Sequence, residues 1–360
     1  MDSSQLTALI DAFAGRTVAV IGDVVADEFV YGRVARVSRE APVLILEYDT
    51  TEIVAGGGGN AANNVAALGA RAALISVVGR DDTGRRMLRA LHPRVAYSRV
   101  VRGRSTTVIK TRILAGGIHS AKQQVVRIDR GVGQSVDAAT RARFERAALA
   151  SLAGADAVLM SDYGSGLVTP ALARRVSQAL RRQGHPIPLL IDSRYRLLEY
   201  RGLTACTPNE SEVEQALGVR INDNVRVLET AGRAILKRTG MRAVLITRGG
   251  RGMALFVPGA ATVHIPIHGS DEIADVTGAG DTVMATMTLA LAAGATFEAA
   301  ARLANYAGGI VVMKRGTATV SRNELRAAVN GSGRSDKAKR SARDLSRRSD
   351  KATGSAKADG

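Results

Sequence analysis

The stretch that decides the fold opens with Ala157-Val158-Leu159-Met160. This short apolar run reads as a buried strand, and Pro170 to Gln183 after it carries the spacing of a helix. The beat then repeats. Leu189-Leu190-Ile191 reads as a strand, and Asn209 to Leu217 and Val225 to Arg238 as helices. Ala243-Val244-Leu245-Ile246 is a strand again, followed by helices over Ala279 to Ala293 and Phe297 to Met313. Strands alternating with helices predict an α/β fold: a parallel sheet covered on both faces.

Outward from that core, the same grammar covers most of the chain. Gln5 to Gly15 predicts a helix, and Thr17-Val18-Ala19-Val20-Ile21 a strand ending in Gly22-Asp23. Asn60 to Leu68 predicts a helix stopped by Gly69, Ala72 to Val78 a strand and Thr83 to Leu91 a helix. Asp137 to Leu152 predicts a helix capped by Asp137. Two regions break the pattern. About 24–54 has no helical period, and Pro42 leads into the strand-forming run Val43-Leu44-Ile45-Leu46-Glu47-Tyr48. Within 105–130, Thr107 to Leu114 and Gln123 to Ile128 flank Gly116-Gly117 as a hairpin. Together they predict a small β flap on the main sheet. Residues 331–360 carry nine Lys/Arg, four Asp and one leucine, the composition of a disordered basic tail. The expected division is one domain over 1–330 and a tail over 331–360.

With 46% hydrophobic but only 3% aromatic residues, the core must be built from Ala, Val, Leu and Ile. No uncharged apolar run reaches the roughly 18 residues of a membrane span. The N-terminal segment lacks the pattern of a secretory signal. The single cysteine, Cys206, excludes an internal disulfide and fits the cytoplasm. Net charge is +17, of which the tail supplies +5, leaving +12 spread over the rest. Scarce aromatics argue against base stacking on nucleic acid, and an enzyme handling phosphorylated small molecules is the better reading.

Four motifs carry chemistry. In Asp275-Val276-Thr277-Gly278-Ala279-Gly280-Asp281, glycines precede an apolar helix, so backbone N–H groups and the helix N-terminus can hold an anion. Asp281 in the first turn can take a proton from a hydroxyl. The bland alternative is a glycine turn with Asp281 complementing the helix dipole. In Ala55-Gly56-Gly57-Gly58-Gly59-Asn60, a bare backbone before a helix suits a close-lying ligand, and Asn60 can bond hydroxyls. An Asn-capped turn is its alternative. A dinucleotide fingerprint would need a buried strand in front, and Thr50-Thr51-Glu52-Ile53 is a poor one. Thr207-Pro208-Asn209-Glu210-Ser211-Glu212 has the spacing of a capping box. Thr247-Arg248-Gly249-Gly250-Arg251-Gly252 is a glycine turn at a strand end, where open α/β sheets bind ligands. No G-x-x-x-x-G-K-[ST] loop occurs.

The run 275–281 resembles the D-T-x-G-A-G-D motif of the ribokinase/PfkB family of carbohydrate kinases, with Val276 replacing the usual Thr. The resemblance implies a ribokinase-like sandwich with a β lid, ATP as donor and Mg²⁺ as cofactor. It makes Asp281 the catalytic base and Gly278, Ala279 and Gly280 the anion hole. It makes Gly56, Gly57 and Asn60 sugar-binding. Asn209, Glu210, Ser211 and Glu212 match its N-x-x-E pattern, which organises Mg²⁺ indirectly through Glu212. Thr247, Gly249, Gly252 and Asn305 match nucleotide-side positions. Asp275 and Thr277 match positions near a monovalent-cation site. Flap strands in the family often pair between subunits, which implies a homodimer.

Further runs resemble one branch, the D-glycero-β-D-manno-heptose 7-phosphate kinases, found alone or as the kinase half of a bifunctional heptose enzyme. They are Gly22-Asp23-Val24-Val25-Ala26-Asp27, Arg36-Val37-Ser38-Arg39-Glu40-Ala41-Pro42-Val43, Thr107-Val108-Ile109-Lys110-Thr111-Arg112, Gln123-Gln124-Val125-Val126-Arg127-Ile128-Asp129 and Ser161-Asp162-Tyr163-Gly164-Ser165-Gly166. The likeness covers about 15–330. It implies phosphorylation of the anomeric C1 hydroxyl, with Asp23 and Asp162 on the sugar and Lys110, Arg112 and Arg127 as cations for the 7-phosphate. Ser165 stands where Lys is usual, and Asp192-Ser193-Arg194 where D-P-K is usual. Ala115 to Lys122 lengthens the loop between the two sugar-side strands. No H-x-G-H motif occurs, so no nucleotidyltransferase half is expected. The rival readings are a kinase of the same family for another sugar or sugar phosphate, and a noncatalytic sugar- or nucleic-acid-binding protein on the kinase fold.

Overall fold

The computed structural model describes residues 2–116, 122–184, 186–269 and 275–331. Most of the lengthened 115–122 loop and all of the tail beyond Gly331 lie outside the described residues. From the N-terminus, α1 (Ser3–Asp11) leads into β1 (Thr17–Gly22), β2 (Val24–Val37) and β3 (Leu44–Gly57). Then come α2 (Gly58–Ala67), β4 (Arg71–Ile75), β5 (Val77–Val78), α3 (Asp82–Arg89), β6 (Val95–Ala96) and β7 (Val101–Arg102). β8 (Ile109–Gly116) and β9 (Gln123–Arg130) precede α4 (Ala138–Ala150), β10 (Ala157–Asp162), α5 (Pro170–Arg182), β11 (Leu189–Ser193) and β12 (Ala205–Cys206). α6 (Glu210–Leu217), α7 (Val225–Thr239), β13 (Ala243–Thr247), β14 (Met253–Phe256), β15 (Val263–Ile265), α8 (Ala279–Ala292) and α9 (Phe297–Val311) follow. A last helix covers 322–331.

The main sheet has nine strands in the order β15-β14-β13-β12-β11-β10-β1-β4-β6. It is parallel from β6 to β13, and β14 and β15 add antiparallel. Alternation along β1 feeds both cores: Val18 and Val20 pack on the α2, α8 and α9 side, while Ala19 and Ile21 pack on the α4, α5 and α7 side. Every residue of α8 from Asp281 to Ala290 is buried. Its hydroxyls do not go unpaired there. Thr282, Thr286 and Thr288 each donate to the carbonyl four residues back. Gly232 lets α7 lie against Phe256, whose ring would meet an added Cβ at 2.4 Å.

A second, four-stranded sheet has the order β3-β2-β8-β9. β2 starts two residues after β1 ends, so this sheet grows from the C-terminal end of the main one. β2 pairs with β3 antiparallel from Val24↔Gly57 to Val37↔Leu44 and with β8 parallel from Ala26↔Ile109. The halves of β2 and β3 near β1 are buried and the far halves exposed.

The structure departs from the sequence-based expectations in places. Ala72 to Val78 splits at buried Ser76, whose hydroxyl donates to Gly22 O at 2.6 Å, and β5 leaves to pair with β7. A strand does run through Thr50 to Ile53. It looked poor because its outer half faces water. It belongs to β3, whose pairing with β2 is antiparallel, so the parallel βαβ context of a dinucleotide site is still missing. Strands β6, β7, β12, β14 and β15 are two to four residues long and carry no period. No helix among the described residues is long and apolar enough to cross a membrane. Cys206 is a buried free thiol.

Candidate active site

The C-terminal ends of β1 and β10 converge with the N-termini of α2 and α8. Gly278 caps α8 with φ +77°, the left-handed region that disfavours side chains. An added Cβ there would also lie 2.5 Å from Asn60 Nδ2. This close approach puts Asn60 of α2 beside Asp281 of α8: Asn60 Nδ2 donates to Asp281 Oδ2 at 2.9 Å and to Gly278 O at 3.3 Å. Asn64 Nδ2 donates to Asn60 Oδ1 at 3.1 Å and holds the amide in place. Tyr163 O–H donates to the other oxygen, Asp281 Oδ1, at 3.0 Å. Burial pushes the Asp281 carboxyl up to about 7, against the bonds from Asn60 and Tyr163, with Asp27 adding to the rise and Lys110 opposing it. Ala279 N–H donates to Val276 O at 3.2 Å, whereas Gly280 opens onto free space. Asp275 ties the motif down, accepting from Thr277 N–H at 2.8 Å and Gly316 N–H at 3.0 Å. Burial pushes its carboxyl up, but those bonds and Arg112 outweigh it and hold the group below its ordinary value.

Beside this pair lies a cavity of about 240 Å³ between the main sheet and the four-stranded sheet. Asp23, Lys110, Arg127, Tyr163, Ser165 and Arg194 are among its lining residues. Asp23 is buried at the end of β1. Its Oδ2 accepts from Tyr163 N–H at 2.8 Å and its Oδ1 from Ser165 O–H at 2.5 Å. Burial pushes it up to about 6. Gly57, at φ +60°, passes Asp23 O so closely that a Cβ would come within 2.7 Å. Lys110 Nζ sits 5.6 Å above the Tyr163 ring. Burial and then Arg194 lower its pKa. Arg127 pairs with Asp129 at the rim.

Two residues predicted to face the sugar are spent elsewhere. Arg112 pairs with Asp27 at 2.5 Å and lies over the Phe29 ring. Asp162 accepts from Ser193 O–H at 2.8 Å, Tyr200 O–H at 2.6 Å and Gly164 N–H at 3.0 Å. Gly56 is needed where Asp27 packs, since a Cβ would fall 2.2 Å from Asp27 Oδ2.

The remaining motif residues gather at the ends of β11 to β13. Asn209 caps α6 by accepting from Glu212 N–H at 2.9 Å, and Glu212 accepts from Asn209 N–H at 2.9 Å. Ser211 O–H donates to Asn209 Oδ1 at 2.6 Å. A parallel bridge joins Asn209 to Thr247. Glu210 turns to Arg248 and Arg251 on the glycine turn. Gly249 and Gly252 both have positive φ, and Gly252 sits against the backbone of Ile265. Asn305 of α9 donates to Pro266 O at 2.9 Å. Asp192 stands between the two regions: burial, then Glu212, Asp281 and Asp162, push its carboxyl well above the usual range. Burial likewise raises Glu212. Tyr163, Asp27, Asp192 and Arg194 belong to this site but carried no assigned role in the sequence reading, although each stood inside a quoted run.

The profile of the pfkB family carbohydrate kinases matches residues 16–324. A bifunctional protein HldE of Caulobacter vibrioides is 44% identical over 325 residues, covering 89% of this chain and 64% of that protein. One from Citrifermentans bemidjiense is 39% identical over 332 residues, covering 91% and 66%. The chain thus spans just under two thirds of the length of these relatives. Among solved structures, Arabidopsis thaliana ribokinase complexed with ribose and ATP aligns with a TM-score of 0.62 at 20% identity, over 88% of this chain and 99% of that one. Escherichia coli phosphofructokinase-2 in complex with fructose-6-phosphate aligns with a TM-score of 0.68 at 19% identity, over 88% and 98%. These two likenesses establish the ribokinase-like fold, and the profile match over most of the chain establishes the lineage: it is a carbohydrate kinase of the pfkB family.

Proposed function

We propose that the chain transfers the γ-phosphoryl group of ATP to the anomeric C1 hydroxyl of D-glycero-D-manno-heptose 7-phosphate, giving the 1,7-bisphosphate. The observation that carries the reaction is Asp281, buried at the N-terminus of α8 and held by one donor on each oxygen. It accepts the hydroxyl proton while the acceptor oxygen bonds to phosphorus and the bond to the leaving ADP breaks. Gly280 N–H and the α8 terminus hold charge on the transferring group, with Gly278 setting the turn. The acceptor assignment is supported by the heptose-branch motifs and by Lys110, Arg127 and Arg194 around a cavity that also holds Asp23. The four-stranded sheet serves as the lid over that cavity and excludes water. Two copies pair through it.

Asn209, Thr247, Gly249, Gly252 and Asn305 form the nucleotide side. Mg²⁺ fits beside Glu212 and Asp192: burial raises both carboxyls and Glu212 adds to the rise at Asp192, a repulsion that a divalent cation relieves. When bound, it neutralises phosphate charge. Asp275 and Thr277 lie where a monovalent cation would support the anion-holding turn. A coupled ADP-release assay over heptose 7-phosphate, ribose and fructose 6-phosphate tests the reading. Turnover should be highest with heptose 7-phosphate, and strong ribose turnover with no response to the heptose would sink it.

A further inference from the structure

Tyr163 joins three groups that come from separate parts of the chain. Its phenol O–H donates to Asp281 Oδ1 at 3.0 Å, and its backbone N–H donates to Asp23 Oδ2 at 2.8 Å. Its ring lines the acceptor cavity beneath Lys110 Nζ, 5.6 Å from the ring centroid. Of the two Asp281 oxygens, Asn60 holds Oδ2 alone. With one donor on each oxygen, rotation of the carboxylate breaks both bonds together, so the plane is fixed. Asn60 is locked from α2, whereas Tyr163 belongs to the wall that the acceptor itself must touch.

The geometry points to Tyr163 as a positioning residue for phosphoryl transfer: its phenol aims the Asp281 carboxylate at the acceptor hydroxyl, and its ring ties that aim to the cationic wall of the acceptor cavity. This rests on the base role of Asp281 proposed above. Each Asp281 oxygen keeps a second lone pair for the incoming proton. The phenol keeps its own proton throughout, since burial and then Asp281 push it well above its ordinary range.

The groups facing Asp281 are Asn60 from α2, Asp27 from β2, Lys110 from β8, Tyr163 after β10 and Asp192 from β11. Among them the phenol favours the ionised carboxylate, so removing it should make Asp281 hold its proton to higher pH. The test is the titration of the Asp281 carboxyl followed by ¹³C NMR in the full chain, beside the pH profile of kcat/KM. Tyr163→Phe keeps the ring and the Lys110 contact. Its Asp281 midpoint should rise by about one pH unit, roughly a tenfold change in the ionisation constant. The rising limb of kcat/KM should move with it, with little change in unfolding temperature. Ring-fluorinated tyrosine at 163, a stronger donor of nearly the same shape, should move the midpoint the other way. Curves for Tyr163→Phe that superimpose on the wild type would overturn the inference, as would a variant that loses only stability. If the unaltered protein does not turn over heptose 7-phosphate, the acceptor reading fails, and the carboxyl titration still decides the role of Tyr163.

Discussion

Asp281 is both the base of the proposed transfer and a burden on the fold. A carboxyl raised to about 7 is half-protonated near neutrality, and only its ionised form can accept a proton. kcat/KM should therefore climb as pH rises through about 7. Asp281→Asn should lower kcat by about 10²–10⁴-fold while ATP binding persists. Stability should run the other way. The folded pKa lies above the unfolded value of 3.8, so the native state binds the extra proton and loses stability as pH rises from about 4 toward 7. Asp281→Asn should thus stabilise the fold most at pH 8, by about 4 kcal/mol at most, read as a higher melting temperature. A melting temperature that gains nothing over the wild type between pH 5 and pH 8 would refute this account. At this scale the sequence reveals what sits inside a motif, such as Asp281, Asn60 and Gly278. It does not reveal whether a charge is already committed. Arg112 and Asp162 look available in the sequence, yet Asp27 and the Ser193 and Tyr200 hydroxyls occupy them. Tyr163 meets Asp281 across 118 positions, a contact that no local spacing encodes.

Among elements, α8 is the one whose first turn separates structure from chemistry. Gly278 and Gly280 are two residues apart and face opposite constraints. At Gly278, φ is +77° and a Cβ would strike Asn60, so Gly278→Ala should cost about 1–3 kcal/mol of stability and at least tenfold in turnover. Gly280 is inside the helix with open space where its Cβ would be. Gly280→Ala should gain about 0.5–1 kcal/mol of helix stability yet lose turnover, because the added methyl enters the space proposed for the phosphoryl group. Chemical denaturation beside an ADP-release assay checks both. If Gly280→Ala turns over like the wild type, the open space is not the anion site. The long elements were legible because their periods run for ten residues or more. β12 was not, since two residues define no period and pairing with β11 and β13 on either side makes it a strand. The four-stranded sheet was legible by the lack of helical spacing, but its register is set by pairing across the gap between β2 and β8.

For the molecule as a whole, the four-stranded sheet presents two unlike faces. Residues directly opposed across a ladder share a face. Arg127, Arg112 and Phe29 are opposed across β9, β8 and β2, and Arg127 lines the acceptor cavity. Val126, Ile113 and Val30 form the next row and therefore point away from it. Val126 is 44% exposed and Ile128 47%, and Leu44, Tyr48 and Val37 are exposed toward the outer end of the same sheet. Glu28, Thr111 and Arg130 share this face and bond to one another. The exposed Val126 and Ile128 beside them, next to an open β9 edge, are costly in water unless something covers them. A second copy, meeting this sheet face to face, would cover both surfaces at once by two-fold symmetry. Val126→Glu with Ile128→Glu should then yield a monomer by sedimentation, while the wild type sediments as a dimer. The cavity face is untouched by these changes, so any fall in acceptor affinity in the monomer measures how far pairing steadies the lid. A wild type that sediments as a monomer at tens of micromolar would remove the pairing and leave the kinase chemistry as it stands.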